Sequence, residues 1–260
     1  MQATNTAARA GALTANADGS RKTYARWIGG AFLVGFLAYG GGLGLVSSIL
    51  GTPGFMSTIE ANQTALIFGA VLMLLVTITD IGKGVLFFPI LENHGKRTAL
   101  VYLAAIVVQV VFLNIGALFV LMLVPLGQIA AESGASASWV PGVGALLAES
   151  NTLAYNVGQA ILCFGGVFLC LLLYRTRLIP RALAGLGLVG YVLHAAGSVS
   201  EIFGLPLELI LLIPGAIFEV GIALWLIVKG FEPSAVAKGQ RPTNDPVAPR
   251  EVAAPIAVAT

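Results

Sequence analysis

The chain has 260 residues, of which 57% are hydrophobic and only 10% charged, with a formal net charge of +2. Soluble domains carry about 25% charged residues, so an ordinary water-facing globule is excluded, and no basic, aromatic-rich surface argues for nucleic acid. The apolar residues fall in continuous runs without the period-2 alternation of a membrane barrel, which leaves helices that satisfy their own backbone groups.

In chain order, residues 1–24 read as a disordered tail rich in Ala and polar residues. Six apolar segments follow, at 27–50, 64–91, 98–126, 152–174, 182–203 and 206–229. Each reaches the length of about 20 residues that crosses roughly 30 Å of hydrocarbon. Residues 231–260 read as a second tail. The expected fold is therefore all-α: a polytopic membrane bundle of six transmembrane helices within residues 25–230. The first segment has a basic leader but is longer than a signal-peptide core and lacks a clear A-x-A site, so it reads as an uncleaved span.

That first span contains Tyr39-Gly40-Gly41-Gly42-Leu43-Gly44. Gly40 and Gly44 form a G-x-x-x-G pair, which suits a close helix crossing; a broken helix lining a site is the sharper alternative. Pro89 and Pro214 are expected to kink their helices or end them early. Residues 127–151 form the only long connection expected between spans. Its Trp139-Val140-Pro141-Gly142 stretch suits either a lid or a flexible loop with one interfacial Trp. Cys163 and Cys170 lie seven residues apart in the fourth span, a rise of about 10 Å. That is too far for a disulfide, and they read as buried apolar residues without metal-site spacing.

Charge sets the orientation. All 14 Lys and Arg residues except Lys83 fall before the first span, between the second and third, between the fourth and fifth, or after the sixth. The alternate connections hold none, while they and their margins carry Glu60, Glu132, Glu149, Glu201 and Glu208. An excess of Lys and Arg marks cytoplasmic loops, so both termini are expected inside, with Trp27 and Trp225 as interface anchors.

Lys83 sits inside the second span, one turn after Asp80. Two ionised groups at the bilayer centre cost about 6 kcal/mol on insertion scales. The sixteen Leu, Ile, Val and Phe residues of that span return about 5–9 kcal/mol, so it inserts only marginally. Pairing across i, i+3 lowers the cost. Measured from the span ends at Glu92, Arg97, Arg181 and Lys229 at 1.5 Å per residue, Asp80 and Gln109 lie about 18 Å deep, His194 about 20 Å and Glu219 about 15 Å. Half the hydrocarbon thickness is about 15 Å. Four spans thus place polar groups in one layer, with Lys83 nearer the basic end and Asn114, Asn156 and Gln159 continuing outward. Asp80, Lys83, His194, Glu219 and Gln109 are the candidate binding residues. In the functional reading Asp80 and Glu219 accept an ion or proton, Lys83 is the counter-charge and His194 a relay. In the structural reading the same groups tie helices together.

Three stretches carry a family resemblance. One runs from Leu171-Leu172-Leu173-Tyr174-Arg175 through Ile179-Pro180-Arg181 to Gly190-Tyr191. The second is Phe218-Glu219-Val220 followed by Ala223-Leu224-Trp225-Leu226-Ile227-Val228-Lys229-Gly230. The third is Leu74-Leu75 ahead of Asp80 and the basic turn beyond it. Together they resemble the bacterial multi-pass family known as domain of unknown function 4386. The resemblance implies a membrane protein of six or seven helices without an established biochemical activity. It implies a carboxylate before the final Leu-Trp segment, matched by Glu219, and an acid in the second span, matched by Asp80. The Arg and Glu often found in the third span are missing, since that region reads Ala105-Ile106-Val107-Val108-Gln109. Lys83 reads as the replacement for that Arg as the partner of Asp80.

The chain shows no phosphate-binding loop, H-E-x-x-H or G-x-S-x-G motif, and no metal, cofactor or catalytic residue is assigned. The expected protein lies in a bacterial inner membrane. Its partners are the lipid bilayer and a small solute, ion or proton bound or moved at a polar midplane site. A non-catalytic membrane subunit or scaffold is the alternative, and an intramembrane enzyme is the least supported class. The oligomeric state is not legible.

Overall fold

A computed structural model of the chain describes residues 2–133 and 138–239. It contains α1 (Gln2–Leu50), a 3-10 turn (Phe55–Thr58), α2 (Ile59–Ser133), α3 (Val140–Thr176), α4 (Arg181–Ile202), α5 (Glu208–Leu211), α6 (Ile213–Val228) and α7 (Pro233–Gly239). No strand occurs among the described residues. Among the described residues five stretches are long and apolar enough to cross a membrane: Lys22–Leu50, Phe55–Glu132, Val140–Thr176, Arg181–Ile202 and Glu208–Val228.

The longest stretch is a hairpin. Gly95 leaves helical geometry at φ −179° and ψ 82°, and the arms 59–94 and 96–133 run back along each other. Thr77 Oγ1 donates to Asn114 Oδ1 at 2.8 Å, and Gly84 packs against Leu103 and Ile106. Pairs centred on residue 95 define an antiparallel turn, so the helical rods number six. The turn falls at Gly95 rather than Pro89, which stays inside continuous helix. The last rod is interrupted at Leu212, and Pro214 enters at the start of α6. There its missing N–H costs nothing.

Two expectations are corrected by the helix lengths. The long connection at 127–151 is mostly helix, because α2 continues to Ser133 and α3 starts at Val140. Pro141 in the first turn of α3 is placed to begin a helix. The G-x-x-x-G segment stays helical, which removes the broken-helix alternative. Gly40 and Gly44 face open space; the close crossing is made by Gly42, where an added Cβ would lie 2.5 Å from the Gly69 carbonyl oxygen. At the N-terminus the backbone is helical from Gln2, through the segment that composition reads as a tail. Its many Ala residues are strong helix formers. At the other end α7 packs on the turn, with His94 Nε2 3.0 Å from the Ala235 carbonyl oxygen. Residues 240–260, the rest of the expected second tail, lie outside the described residues.

The six rods close into a ring. α1 meets the first arm of α2, the second arm meets α3, α3 meets α4, α4 meets α6, and α6 returns to α1. Small residues set the close approaches, as Gly190 against Gly215 and Gly29 against the Ala223 carbonyl show. Two separate apolar cores fill the ring. One holds Phe32, Phe87, Tyr102, Ile106, Leu162 and Phe218. The other holds Val46, Met73, Val76, Leu113, Leu123 and Val140. Between them every rod carries polar or small residues, and there the packing opens. Outward-facing Leu37, Phe68, Ile78, Val111, Phe164, Val192 and Leu224 are exposed, as a lipid-contacting belt requires.

The basic segments meet at one end of the ring. Arg26 Nε donates to the Ile227 carbonyl, and the Glu232 N–H donates to the Leu178 carbonyl beside Arg177. Gly95, next to Lys96, packs on Leu172. Arg177 itself closes α3 in a left-handed conformation, φ 59°, with its N–H on the Leu173 carbonyl.

Candidate functional site

A cavity of about 210 Å³ lies between the two cores. All five residues singled out from the sequence line it: Asp80 and Lys83 from the first arm of α2, Gln109 from the second, His194 from α4 and Glu219 from α6. They meet because each sits at the same height in its rod. Side chains at equal heights on packed antiparallel helices can converge on one space. Gln159 of α3 lines the same space. Asn114 instead binds Thr77, and Asn156 belongs to a neighbouring cleft.

Lys83 Nζ lies 2.9 Å from Asp80 Oδ1, with both side chains 5% exposed. One face of the ammonium is also covered by the Phe32 ring, 4.5 Å from its centroid, a favourable use of the ring quadrupole. The pair is thus internally neutral. Glu219 differs. Its Oε1 accepts from the Tyr191 hydroxyl at 3.2 Å, and among the described residues no basic side chain reaches ion-pair distance of it. Gln109 is 2% exposed, and its Oε1 has no hydrogen-bond partner. A buried carbonyl oxygen left unpaired costs about 1–3 kcal/mol, so this site presents an acceptor ready for a donor.

Sequence reasoning missed a group of residues at the outer edge of the cavity. The Tyr155 hydroxyl donates to Glu208 Oε1 at 3.0 Å, and His194 Nε2 lies 3.3 Å from the same oxygen. The imidazole is close enough for an ion pair when protonated, yet out of line for a hydrogen bond. Tyr39 stacks on Tyr155 with centroids 5.8 Å apart and planes 15° from parallel. Glu208 was legible only as a carboxylate at the margin of an outer connection. The signal available was its place in a polar-poor segment beside Pro206; its partners lie too far away in sequence to be read. Tyr39, Tyr155 and Tyr191 are aromatic residues inside apolar runs, and nothing in their spacing marks their hydroxyls as functional.

Beyond this group a second, larger cleft of about 500 Å³ opens toward the end away from the basic segments. Leu43 and Tyr155 wall both spaces. Among the described residues no cluster of three His, Cys, Asp or Glu side chains is placed to hold a metal ion. Cys163 and Cys170 are free and buried.

The fold and cavity define a class: a ring of apolar helices, long enough to cross a membrane, around a partly open cavity into which a few polar side chains project. The chain belongs to the family described as Domain of unknown function (DUF4386), whose model matches residues 27–230, the whole ring from α1 to α6. A search of the curated proteins and of the solved structures returned no match.

Proposed function

We propose that the cavity is a midplane binding site that takes up, and passes on, a small solute, ion or proton. The bundle lies in a bacterial cytoplasmic membrane with both termini inside, and terminal tails flank it. The observation that carries the reading is convergence. Polar groups of five different rods line one cavity, and one of them, Glu219, is a carboxylate with no basic side chain at ion-pair distance among the described residues. Groups serving only as ties would be consumed in pairs, and a polar cavity costs stability that packing alone would not incur. The orientation follows from the basic segments gathered at one end.

The second reading, a non-catalytic subunit or scaffold, draws on two contacts. Thr77–Asn114 and Tyr191–Glu219 each join two rods by a hydrogen bond.

Glu219→Gln separates the two. The substitution keeps shape and removes charge. In full-length protein reconstituted in nanodiscs, salts of ammonium, alkali-metal and small carboxylate ions are screened for an upward shift of the unfolding midpoint. A ligand at a hundred times its Kd adds about 2.7 kcal/mol. The expected result is that Glu219→Gln loses this ligand-dependent shift while unfolding near the wild-type midpoint without ligand. A lowered midpoint without ligand, together with an absent shift in the wild type, would establish the scaffold reading. A reporter fused at the C-terminus that is active only outside would overturn the orientation.

A further inference from the structure

We infer that the outer cleft is the entrance vestibule of the central cavity, and that the occupant is a small ammonium-type cation handed from Glu208 to Glu219. The inference rests on the midplane-site reading and adds to it a ligand class and a direction of access.

The cleft's ionisable lining is wholly acidic: Glu149, Glu201 and Glu208, with no Lys, Arg or His among its lining residues. Acidic clusters occur on many surfaces, but this one has a buried acceptor beside it. Asn156 is 2% exposed and lines the cleft. Its Nδ2 donates to the Thr152 carbonyl at 3.0 Å, which orients the amide, and its Oδ1 has no partner. Gln109 Oε1 repeats the pattern in the inner cavity. Both spaces therefore present carboxylates together with unpaired carbonyl oxygens, the complement of a cation bearing N–H donors.

Aromatic faces complete the match. Phe36, Tyr39 and Tyr155 line the inner cavity, and aromatic faces are suited to organic ammonium groups. The protein displays this chemistry already on its own Lys83 ammonium, which is held by a carboxylate and a Phe ring. Glu219 is the second carboxylate of the cavity, and among the described residues no basic side chain stands at ion-pair distance of it.

Glu208 stands at the partition. It lines the outer cleft, and its Oε1 meets Tyr155 and His194, which line the inner cavity. It is carried on the four-residue α5, after a break in which Gly204 adopts φ 78°. Gly197 of α4 lets that turn approach closely, since an added Cβ would lie 3.0 Å from the Glu208 Cα. A cation leaving the cleft meets Glu208 first, and displacing the Tyr155 hydroxyl opens the way to Glu219.

The test uses full-length protein in nanodiscs with methylammonium chloride as the probe, and sodium chloride and sodium acetate at matched ionic strength as controls. Methylammonium is expected to raise the unfolding midpoint of the wild type and not of Glu219→Gln. Removing the vestibule charges in Glu149→Gln/Glu201→Gln is expected to slow methylammonium association about tenfold at low salt, an effect of lost electrostatic steering that fades at high salt. Both positions lie outside the cores, and their unliganded midpoints report that folding is intact. If association is unchanged in that double variant while Glu219→Gln still abolishes binding, the vestibule is wrong and the midplane site stands. Stabilisation by acetate or sodium in place of methylammonium overturns the ammonium class alone. Absence of any ligand effect in the wild type overturns the vestibule and the midplane site together.

Discussion

The Tyr191 hydroxyl of α4 donates to Glu219 Oε1 of α6 at 3.2 Å, one residue from the place where Gly190 lies against Gly215. The glycine contact brings the two rods close enough for the bond to form. The ring of Tyr191 packs edge-on to Phe218, centroids 5.6 Å apart, so the side chain is fixed whether or not the hydroxyl is present. Tyr191→Phe therefore deletes one donor to a largely sequestered carboxylate and little else. A hydrogen bond contributes about 0.5–1.5 kcal/mol net, and a loss in that range is expected in reversible unfolding of the detergent-solubilised protein. An effect below the measurement error would show that Glu219 draws its stabilisation from elsewhere.

Lys83 and Asp80 form a buried pair within one helix turn. Truncating one partner of a buried pair strands the other, at a cost of about 3–5 kcal/mol. Lys83→Met is accordingly expected to destabilise strongly, and Lys83→Met/Asp80→Leu to recover much of the loss. A double-mutant cycle in unfolding free energy reads the coupling; plain additivity would sink the pairing as an energetic unit.

The crossing of α1 over the first arm of α2 depends on Gly42. An added Cβ there meets the Gly69 carbonyl, backbone that cannot swing aside, whereas Gly40 has nothing within 4 Å. Gly42→Val is expected to cost at least the 1–3 kcal/mol typical of overpacking, about that of a poor core fit. Gly40→Ala should be neutral or gain up to about 1 kcal/mol from helix propensity. Thermal unfolding of the two variants side by side decides it, and equal effects would mean that the crossing lies elsewhere.

Thr77 and Asn114 join the two arms of the hairpin at 2.8 Å. Interhelical hydrogen bonds in membranes average about 0.6 kcal/mol, so Thr77→Val should cost about that amount and leave ligand binding at Glu219 intact. A loss several times larger would indicate that this bond sets the hairpin register.

Much of the ring was legible because the bilayer constrains sequence so strongly. The lengths of apolar runs place the rods, and the span ends at Glu92, Arg97, Arg181 and Lys229 give four of them one reference plane. That is why depth counting brought Asp80, Gln109, His194 and Glu219 to one height. It could not tell that they face inward to one cavity, since rotation of each rod about its own axis depends on which neighbour it packs against. Gly42 shows the limit at single-residue scale. It and the Gly40/Gly44 pair look alike in the sequence, and only the partner helix distinguishes them.

Glu208 shows the same limit at the site. Its contacts, Tyr155 on α3 and His194 on α4, come from different rods, and no spacing rule connects them. By itself the sequence determined the six apolar rods, the gathering of basic residues at alternate connections and the shared height of the polar residues along the rods, because these depend on local composition and helix rise. The tertiary structure decided the hairpin turn at Gly95, the division of the core into two clusters and the cavity between them. It also decided the Glu208 partition that Tyr155 and His194 complete. Those depend on side chains from distant parts of the chain arriving at one place, which helix rotation and glycine-mediated approach control and local sequence does not.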